Sequence, residues 1–105
     1  MRIDLRGDIL GISDIEELGA ANSEAFRRQV RAAIPASALK AIEIDLSKTE
    51  FVDSCGLGAL IAVQKWASSH NGNGAVPVRL LNPPLSVQQV FELTRLHRIF
   101  EIVKR

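Results

Sequence analysis

The sequence is poor in several residue types whose abundance would point to particular classes of protein. It has one cysteine and no tyrosine, and aromatic residues make up 5% of its 105 residues. A single cysteine excludes an internal disulfide, so we expect a reducing setting and a cytoplasmic protein. Seven glycines and four prolines give no compositional sign of disorder, and a hydrophobic content of 47% is enough for a core.

The sequence also lacks an excess of charge of either sign. Lys and Arg number 13, Asp and Glu number 12, and the net charge is +1, which gives no electrostatic case for binding nucleic acid. Charges interrupt the N-terminal MRIDLRGDIL where a signal peptide needs its apolar segment, and no apolar run approaches a membrane span. We therefore expect no direct membrane insertion. Without a repeat or a linker, residues 1–105 are predicted to form a single domain.

Hydrophobic periodicity predicts an α/β fold. Alternation predicts a hairpin formed by MRIDLR and ILGIS, two more strands in AIEIDLS and AVPVRLL, and a last turn or short strand in HRIFEIV. Helical periodicity predicts helices in EAFRRQVRAAI, GLGALIAVQKWASSH and VQQVFELT. Strands that alternate with helices favour parallel pairing, while the first hairpin makes the sheet mixed.

Capping residues and breakers predict where the helices begin and end. Asn22 or Ser23 can cap the first helix, and NGNG at 71–74 is expected to stop the second. Ser86 with Gln89 is expected to form a capping box for the third helix.

Two further segments carry structural expectations. Residues 14–21, DIEELGAA, are interpreted as a loop or a short helical turn. The inner side of the third helix is expected to carry Val87, Val90 and Phe91, with Leu93 as a further candidate.

The only cysteine lies in the stretch FVDSCGLGAL, where a strand turns into a helix. Ser54 or Asp53 can cap the free amides, and a phosphate in this turn would meet exposed N–H groups at the positive helix end. Gly56 and Gly58 leave the backbone uncovered, so another protein could approach closely. The alternative is structural and is favoured by the residue types alone: Ser54 caps, both glycines pack tightly, and Cys55 is a small buried filler.

Known arrangements of catalytic side chains are missing. A phosphatase loop of the C-x5-R type needs arginine six positions after Cys55, where the sequence has Ile61, and a redox pair needs a second cysteine. His70 and His97 are expected at the surface, and no cluster has the spacing of metal ligands. We therefore expect no enzymatic activity, no metal and no cofactor.

The central segment IEIDLSKTEFVDSCGLGALIAVQKWA resembles STAS domains (sulfate transporter and anti-sigma antagonist). That family typically has a strand ending in D-L-S, a short spacer, and then a hydrophobic residue followed by D-S-S/T-G-L-G. VPVRLLNPPLSVQQVFELTRLHRIFEI resembles the family's later strand, its N-P turn and its ending, and ANSEAFRRQV is similar to its first helix. The resemblance implies the STAS (anti-sigma factor antagonist-like) fold, a mixed β-sheet with helices mainly on one face.

The resemblance also implies a function in bacterial transcription regulation by partner switching. A stand-alone STAS domain of this length resembles an anti-sigma factor antagonist, which binds an anti-sigma factor, often a serine kinase of the histidine-kinase-like ATPase fold. Binding frees the client of that kinase, and phosphorylation at the start of the second helix breaks the complex until a serine phosphatase restores it. The implied partner-binding residues are Asp53, Ser54, Cys55, Gly56, Leu57 and Gly58.

The sequence departs from the family pattern at the phosphoacceptor, which lies directly before the glycine of the motif and is Cys55 here. Since a thiol is not a normal substrate of a serine kinase, three hypotheses follow, in order of preference. In the first, the switch is lost and the domain is always competent to bind its partner. In the second, phosphorylation has moved to Ser54. In the third, oxidation of Cys55 to a sulfinate supplies the negative charge that a phosphate would otherwise bring. A second departure is Arg95, where many members have glycine, which is expected to change only how the third helix ends.

Other functions remain open. One is an accessory subunit that binds the ATPase of a lipid-transport ABC complex, where the acceptor serine need not be retained, and another is a non-phosphorylated scaffold within a larger STAS assembly.

Trp66 is expected in the helix core. A solvated helix face is expected to carry Arg27, Arg28 and Arg31. A solvent loop, or a position near the partner surface, is expected for Asp14, Glu16 and Glu17.

Overall fold

The structure is a computed structural model that describes residues 1–35, 39–70 and 76–105, without the side chains of His70 and His97. The stop predicted at 71–74 lies outside the described residues, as do the predicted surface positions of the two histidine side chains.

A mixed five-stranded sheet with the order β1-β2-β4-β6-β7 forms the centre of the fold. β1 and β2 form the predicted antiparallel hairpin, while β2 with β4, β4 with β6, and β6 with β7 are parallel. Two shorter strands, β3 and β5, pair in parallel as a separate sheet. The bounds are β1 Arg2–Arg6, β2 Ile9–Ser13, β3 Glu17–Leu18, β4 Ala41–Asp45, β5 Phe51–Val52, β6 Val78–Leu81 and β7 Glu101–Val103.

Three helices occupy the predicted segments: α1 Ser23–Ala33, α2 Ser54–His70 and α3 Leu85–Leu93. Asn22 precedes α1, but its side chain does not cap the helix. The capping box predicted for α3 is wrong, because α3 begins at Leu85, two residues before the predicted start at Val87, and Ser86 therefore lies inside the helix. The ending HRIFEIV contributes both to a 3₁₀ turn at Leu96–Arg98 and to β7.

The segment 14–21 is neither a loop throughout nor a helical turn, because it contains the strand β3. The buried residues Ile15 and Leu18 lie three positions apart, which resembles a helical spacing. The strand conformation instead comes from pairing with β5, in which Leu18 lies opposite Val52. That partner is distant in sequence, so the local pattern does not reveal it.

The helices cover one face of the sheet. Ile12, Ile44 and Leu80 are cross-strand neighbours with exposed fractions of 1% or less, and they share one core with buried residues of all three helices. The opposite face carries a polar row in which the carboxylate of Glu43 accepts hydrogen bonds from Arg79 at 3.3 Å and Arg105 at 2.8 Å. The predicted layering, with helices mainly on one face, is confirmed.

Two expectations about helix surfaces need correction. Val87 and Phe91 are buried and Val90 is partly buried, but Leu93 is 85% exposed because α3 ends there and its last residue points away from the sheet. Trp66 is half-buried against the core, and the guanidinium carbon of Arg31 lies 5.1 Å from the centre of its ring. Arg31 is therefore not simply solvated, since it covers an aromatic surface.

Candidate docking site at the start of the second helix

Two turns meet at the same end of the small β3–β5 sheet. Because β3 and β5 are parallel, the segments that follow Leu18 and Val52 leave the sheet side by side. The amide of Asp53 donates to the carbonyl of Leu18 at 3.1 Å. Further back, the buried hydroxyl of Thr49 donates to the carbonyl of Ile15 at 2.6 Å. The start of α2 is thus fixed against the loop that leads into α1.

Asp53 is the residue that caps α2. Its Oδ1 accepts a hydrogen bond from the amide of Gly56 at 3.0 Å, and its Oδ2 accepts one from the amide of Ala20 at 3.0 Å. The choice between Ser54 and Asp53 is thereby settled, since Ser54 is the first helical residue and its side chain is exposed. Hydrogen bonds from the amides of Gly56 and Ala20 lower the pKa of the Asp53 carboxyl, so it remains ionised and links the two turns.

This cap changes the electrostatic expectation for the turn. The sequence suggests that an added phosphate would meet free N–H groups, but the amide of Gly56 already donates to Asp53. A negative charge on Ser54 or Cys55 would therefore lie close to a carboxylate as well as to the positive helix end. These two effects oppose each other, so such a charge would change folding stability little.

Gly56 and Gly58 have different roles. Gly56 is buried, and a Cβ at this position would overlap the carbonyl oxygen of Leu18 and lie 2.7 Å from its carbonyl carbon. Tight packing is confirmed there. A Cβ at Gly58 would instead lie 3.0 Å from Nη2 of Arg27, the end of a flexible side chain, so the backbone is covered only by that guanidinium.

Cys55 is exposed, as is Ser54. The interpretation of Cys55 as a small buried filler is therefore wrong. The core-facing residues of α2 include Ala59, Leu60 and Val63, and Cys55 does not belong to that stripe. Leu57 is partly buried against the core, so it supports the turn more than it contributes exposed surface.

Several residues around the turn have no signal in the local sequence. The amide of Gly19 donates to Oδ1 of Asn22 at 2.9 Å, while Nδ2 of Asn22 donates to the carbonyl of Glu17 at 2.8 Å. A Cβ at Gly19 would lie 2.7 Å from Asp53 Oδ2 and 3.2 Å from Cε1 of Phe51. The hydrogen bonds of Asn22 are local, but the approach of Gly19 to Asp53 and Phe51 joins chain segments more than 30 positions apart, and only the parallel pairing of β3 with β5 reveals it.

Within residues 1–35, 39–70 and 76–105, no group of three or more His, Cys, Asp or Glu side chains is arranged to hold a metal ion. In the same part of the chain, no helix combines the length and the apolar character needed to cross a membrane.

Comparison with protein families gives one match over almost the whole chain. The sequence model for the STAS domain matches residues 2–105.

Solved structures with the same fold include two proteins described as anti-sigma factor antagonists. A putative anti-sigma factor antagonist of Thermotoga maritima is 27% identical, with a TM-score of 0.84, covering 99% of this chain and 85% of that one. The unphosphorylated anti-sigma factor antagonist SpoIIAA is 22% identical with a TM-score of 0.80, covering 99% of this chain and 86% of that one. Its phosphorylated form, from Bacillus, is 20% identical with a TM-score of 0.69, covering 99% and 89%.

A similar fold occurs within a larger transporter. The murine anion transporter Slc26a9 is 26% identical with a TM-score of 0.65, covering 90% of this chain but 15% of that one.

Proposed function

This chain belongs to the STAS domain family, and from that membership we propose that it is a regulatory protein-binding module of the anti-sigma factor antagonist type. Its partner is an anti-sigma factor, a serine kinase of the histidine-kinase-like ATPase fold, within a partner-switching pathway. The docking site consists of Asp53, Ser54, Cys55, Gly56, Leu57 and Gly58. The solved relatives described as anti-sigma factor antagonists support this class of function.

The observation that carries the proposal is the exposed, well-fixed start of α2. Ser54 and Cys55 face solvent, while Asp53 and Gly56 hold the backbone beneath them through short contacts to the preceding loop. A surface that is already ordered loses little conformational entropy when a partner binds. The turn therefore has the properties of a preformed contact.

Electrostatics explains how such a contact is switched. A phosphate adds about −1.5 to −2 charges at neutral pH. Within a desolvated interface, an uncompensated charge of this size costs several kcal/mol of binding free energy. The nearby carboxylate of Asp53 adds to the local negative potential. The relative SpoIIAA is known in phosphorylated and unphosphorylated forms, which supports this mode of regulation for the family.

Cys55 occupies the phosphoacceptor position, and our preferred hypothesis is that the switch is lost in this chain. Ser54 and Cys55 are both exposed, so neither phosphorylation of Ser54 nor oxidation of Cys55 is prevented by burial. Mass spectrometry after incubation with the cognate kinase and ATP separates the first two hypotheses. Phosphate on Ser54 would contradict the loss of the switch, while unmodified protein would count against a moved phosphosite. Peroxide treatment that leaves partner affinity unchanged would remove the redox hypothesis.

The substitution Cys55→Asp tests the docking site. We expect the affinity for the partner, captured from the source cell and purified, to fall at least about tenfold because a charge enters the contact. The free energy of unfolding should change little, since the helix dipole and Asp53 act in opposite directions. Gln89→Asp, which places the same charge on the exposed surface of α3, is the matched control and should leave affinity unchanged. Equal affinities for wild-type protein and Cys55→Asp would show that the turn is not at the interface.

The replacement of the phosphoacceptor favours a second candidate function. An accessory subunit of a lipid-transport ABC complex would bind its ATPase without needing a phosphorylated serine, and Cys55 is compatible with that. Co-purification with an ATPase subunit, in place of a kinase-type anti-sigma factor, would decide for this candidate.

A further inference from the structure

A glycine lies in the middle of β2 although the backbone there does not require one. Gly11 pairs with Asp4 of β1 on one side and with Glu43 of β4 on the other. Its φ lies outside the left-handed region, and a Cβ at this position would make only an ordinary contact, 3.6 Å from the carbonyl oxygen of Asp4. Glycine weakens the interior of a strand, and its presence there often marks the close approach of a ligand or of another chain. The fold itself therefore supplies no reason for a glycine here.

Gly11 belongs to the floor of a depression on the open face of the five-stranded sheet. Because Ile12 points into the core, the neighbouring position 11 faces the opposite side of the sheet, away from the helices. The depression has a volume of about 350 Å³, at the lower end of the range of sites for small molecules. Its lining includes Ser13, Asp45 and Leu81, which are the last residues of β2, β4 and β6. Ligand sites in open α/β sheets commonly lie at these carboxyl ends of the strands.

A turn at Asn82 fixes one rim of the depression. Oδ1 of Asn82 accepts a hydrogen bond from the amide of Arg105 at 2.7 Å, and the amide of Asn82 donates to the carbonyl of Val103 at 2.8 Å. These bonds hold the chain after β7 in a position from which Nη2 of Arg105 reaches Oε2 of Glu43 at 2.8 Å. The rim is therefore ordered before a ligand arrives, which reduces the entropy that binding would cost.

The lining carries equal numbers of positive and negative charges. Its carboxylates belong to Asp4, Glu43 and Asp45, and its guanidiniums belong to Arg2, Arg6 and Arg105. Arg6 pairs with Asp4 at 3.0 Å, as Arg105 does with Glu43. Within the described part of the chain, Arg2 forms no ion pair, and Asp45 uses only Oδ1, which accepts the amide of Ser47 at 2.9 Å. One guanidinium and one carboxylate oxygen thus remain available to a ligand.

A ligand with a single charge does not match this lining. An anion would be attracted by the guanidiniums but repelled by Asp4 and Glu43, which flank Gly11 across the strands, and a cation would meet the reverse. A small zwitterion can direct its ammonium group to the carboxylates and its own carboxylate to a guanidinium, which binds carboxylates through paired hydrogen bonds. A free α-amino acid is the simplest molecule of this kind.

We propose that the depression over Gly11 is a binding site for a small zwitterionic molecule of the amino acid class. Asp45 and the carboxylates beside Gly11 accept hydrogen bonds from the ammonium group, Arg2 binds the carboxylate, and the missing side chain at position 11 provides the space. The large sheet separates this depression from the helices, so the inference does not depend on the proposed docking at the α2 turn.

An NMR titration of the purified, ¹⁵N-labelled protein tests the proposal. The probes are glycine, L-alanine and L-serine at about 10 mM, a concentration that fills most of a site with a millimolar dissociation constant. We expect at least one of them to shift the amide resonances of Gly11, Ser13 and Asp45 in a dose-dependent way. N-acetyl-L-alanine and L-alaninamide, each of which lacks one of the two charges, should cause no such shift. The absence of shifts with all three amino acids would overturn the proposal, and equal shifts with either analogue would overturn the class of ligand.

Two substitutions test the position of the site. Gly11→Val fills the space above the strand and should abolish the shifts, while its β-branched side chain suits a strand and should keep the protein folded. Arg2→Gln removes the unpaired guanidinium and should weaken binding at least about tenfold. Arg28→Gln removes the same charge from the exposed surface of α1 and should bind like the wild type. Wild-type affinity in either Gly11→Val or Arg2→Gln would overturn the proposal.

Discussion

Asp53 connects two parts of the chain that the sequence separates. Its carboxylate accepts one hydrogen bond from the amide of Gly56 in its own turn and another from the amide of Ala20, 33 positions earlier. A single side chain thus fixes the start of α2 and positions the loop into α1. This double role explains why an aspartate at this position has structural value in addition to any contact with a partner.

The lowered pKa of Asp53 predicts a pH-dependent contribution to stability. Because the folded-state pKa lies below the ordinary value of 3.8, the contribution is present above that value and is lost as pH falls through the folded-state pKa. Asp53→Asn should therefore lower the free energy of unfolding at neutral pH, and the difference from wild type should shrink in acid. Urea unfolding over a pH series measures this difference. A difference that is the same at all pH values would contradict the role of the charge.

The two glycines of the α2 turn provide a matched pair of variants. Gly56→Ala should destabilise the protein by about 1–3 kcal/mol, because the new Cβ meets the backbone of Leu18 and one segment must shift. Gly58→Ala should be neutral or stabilising by up to about 1 kcal/mol, since alanine favours the helix and Arg27 can move. Chemical denaturation of both variants measures the difference. Equal destabilisation would show that the close approach to Leu18 is not the cause.

At the scale of elements, β3 is the one that local sequence reasoning missed. Its two residues form a strand because β5 runs beside them, and a two-residue strand leaves almost no alternation to detect. The longer strands and all three helices follow from periodicity within each segment, so they were predictable. The capping box at Ser86 failed for a different reason: Pro84 is a suitable start for a helix, and α3 begins directly after it.

After the end of α3, the chain has Arg95 where many members of the family have glycine, and this difference affects stability. Arg95 has a φ of 61°, in the left-handed region that favours glycine. Arg95→Gly should therefore stabilise the protein by about 1 kcal/mol. Arg98→Gly, in the following 3₁₀ turn, is the control and should destabilise it by about 0.5–1 kcal/mol, because its backbone needs no positive φ. Thermal unfolding of both variants measures the difference, and a loss of stability in Arg95→Gly would contradict the argument.

At the scale of the whole molecule, charge is distributed unevenly although the total is nearly balanced. The open face of the five-stranded sheet pairs its charges, as in the contacts of Glu43 with Arg79 and Arg105. Around the β3–β5 sheet, by contrast, Glu16, Glu17 and Glu50 are exposed and form no ion pair within the part of the chain that the structure describes. The composition shows that positive and negative charges are nearly equal in number, but it does not show which of them form ion pairs. That depends on the order of the strands, because strand order determines which charged side chains become neighbours. The motif located the α2 turn from sequence, and Glu16 and Glu17 were expected in a solvent loop or near the partner surface, whereas the exposed position of Phe51 beside Gly19 required the structure.

Amide hydrogen exchange of the domain with and without its partner is the most direct test of the central claim. The account predicts that binding slows exchange in residues 16–22 and 51–58, which form the β3–β5 sheet and the start of α2. Exchange in β1 and β7 at the two edges of the large sheet should remain unchanged. Slowed exchange confined to those edge strands, with the α2 turn unaffected, would contradict the claim that partners dock at the start of the second helix.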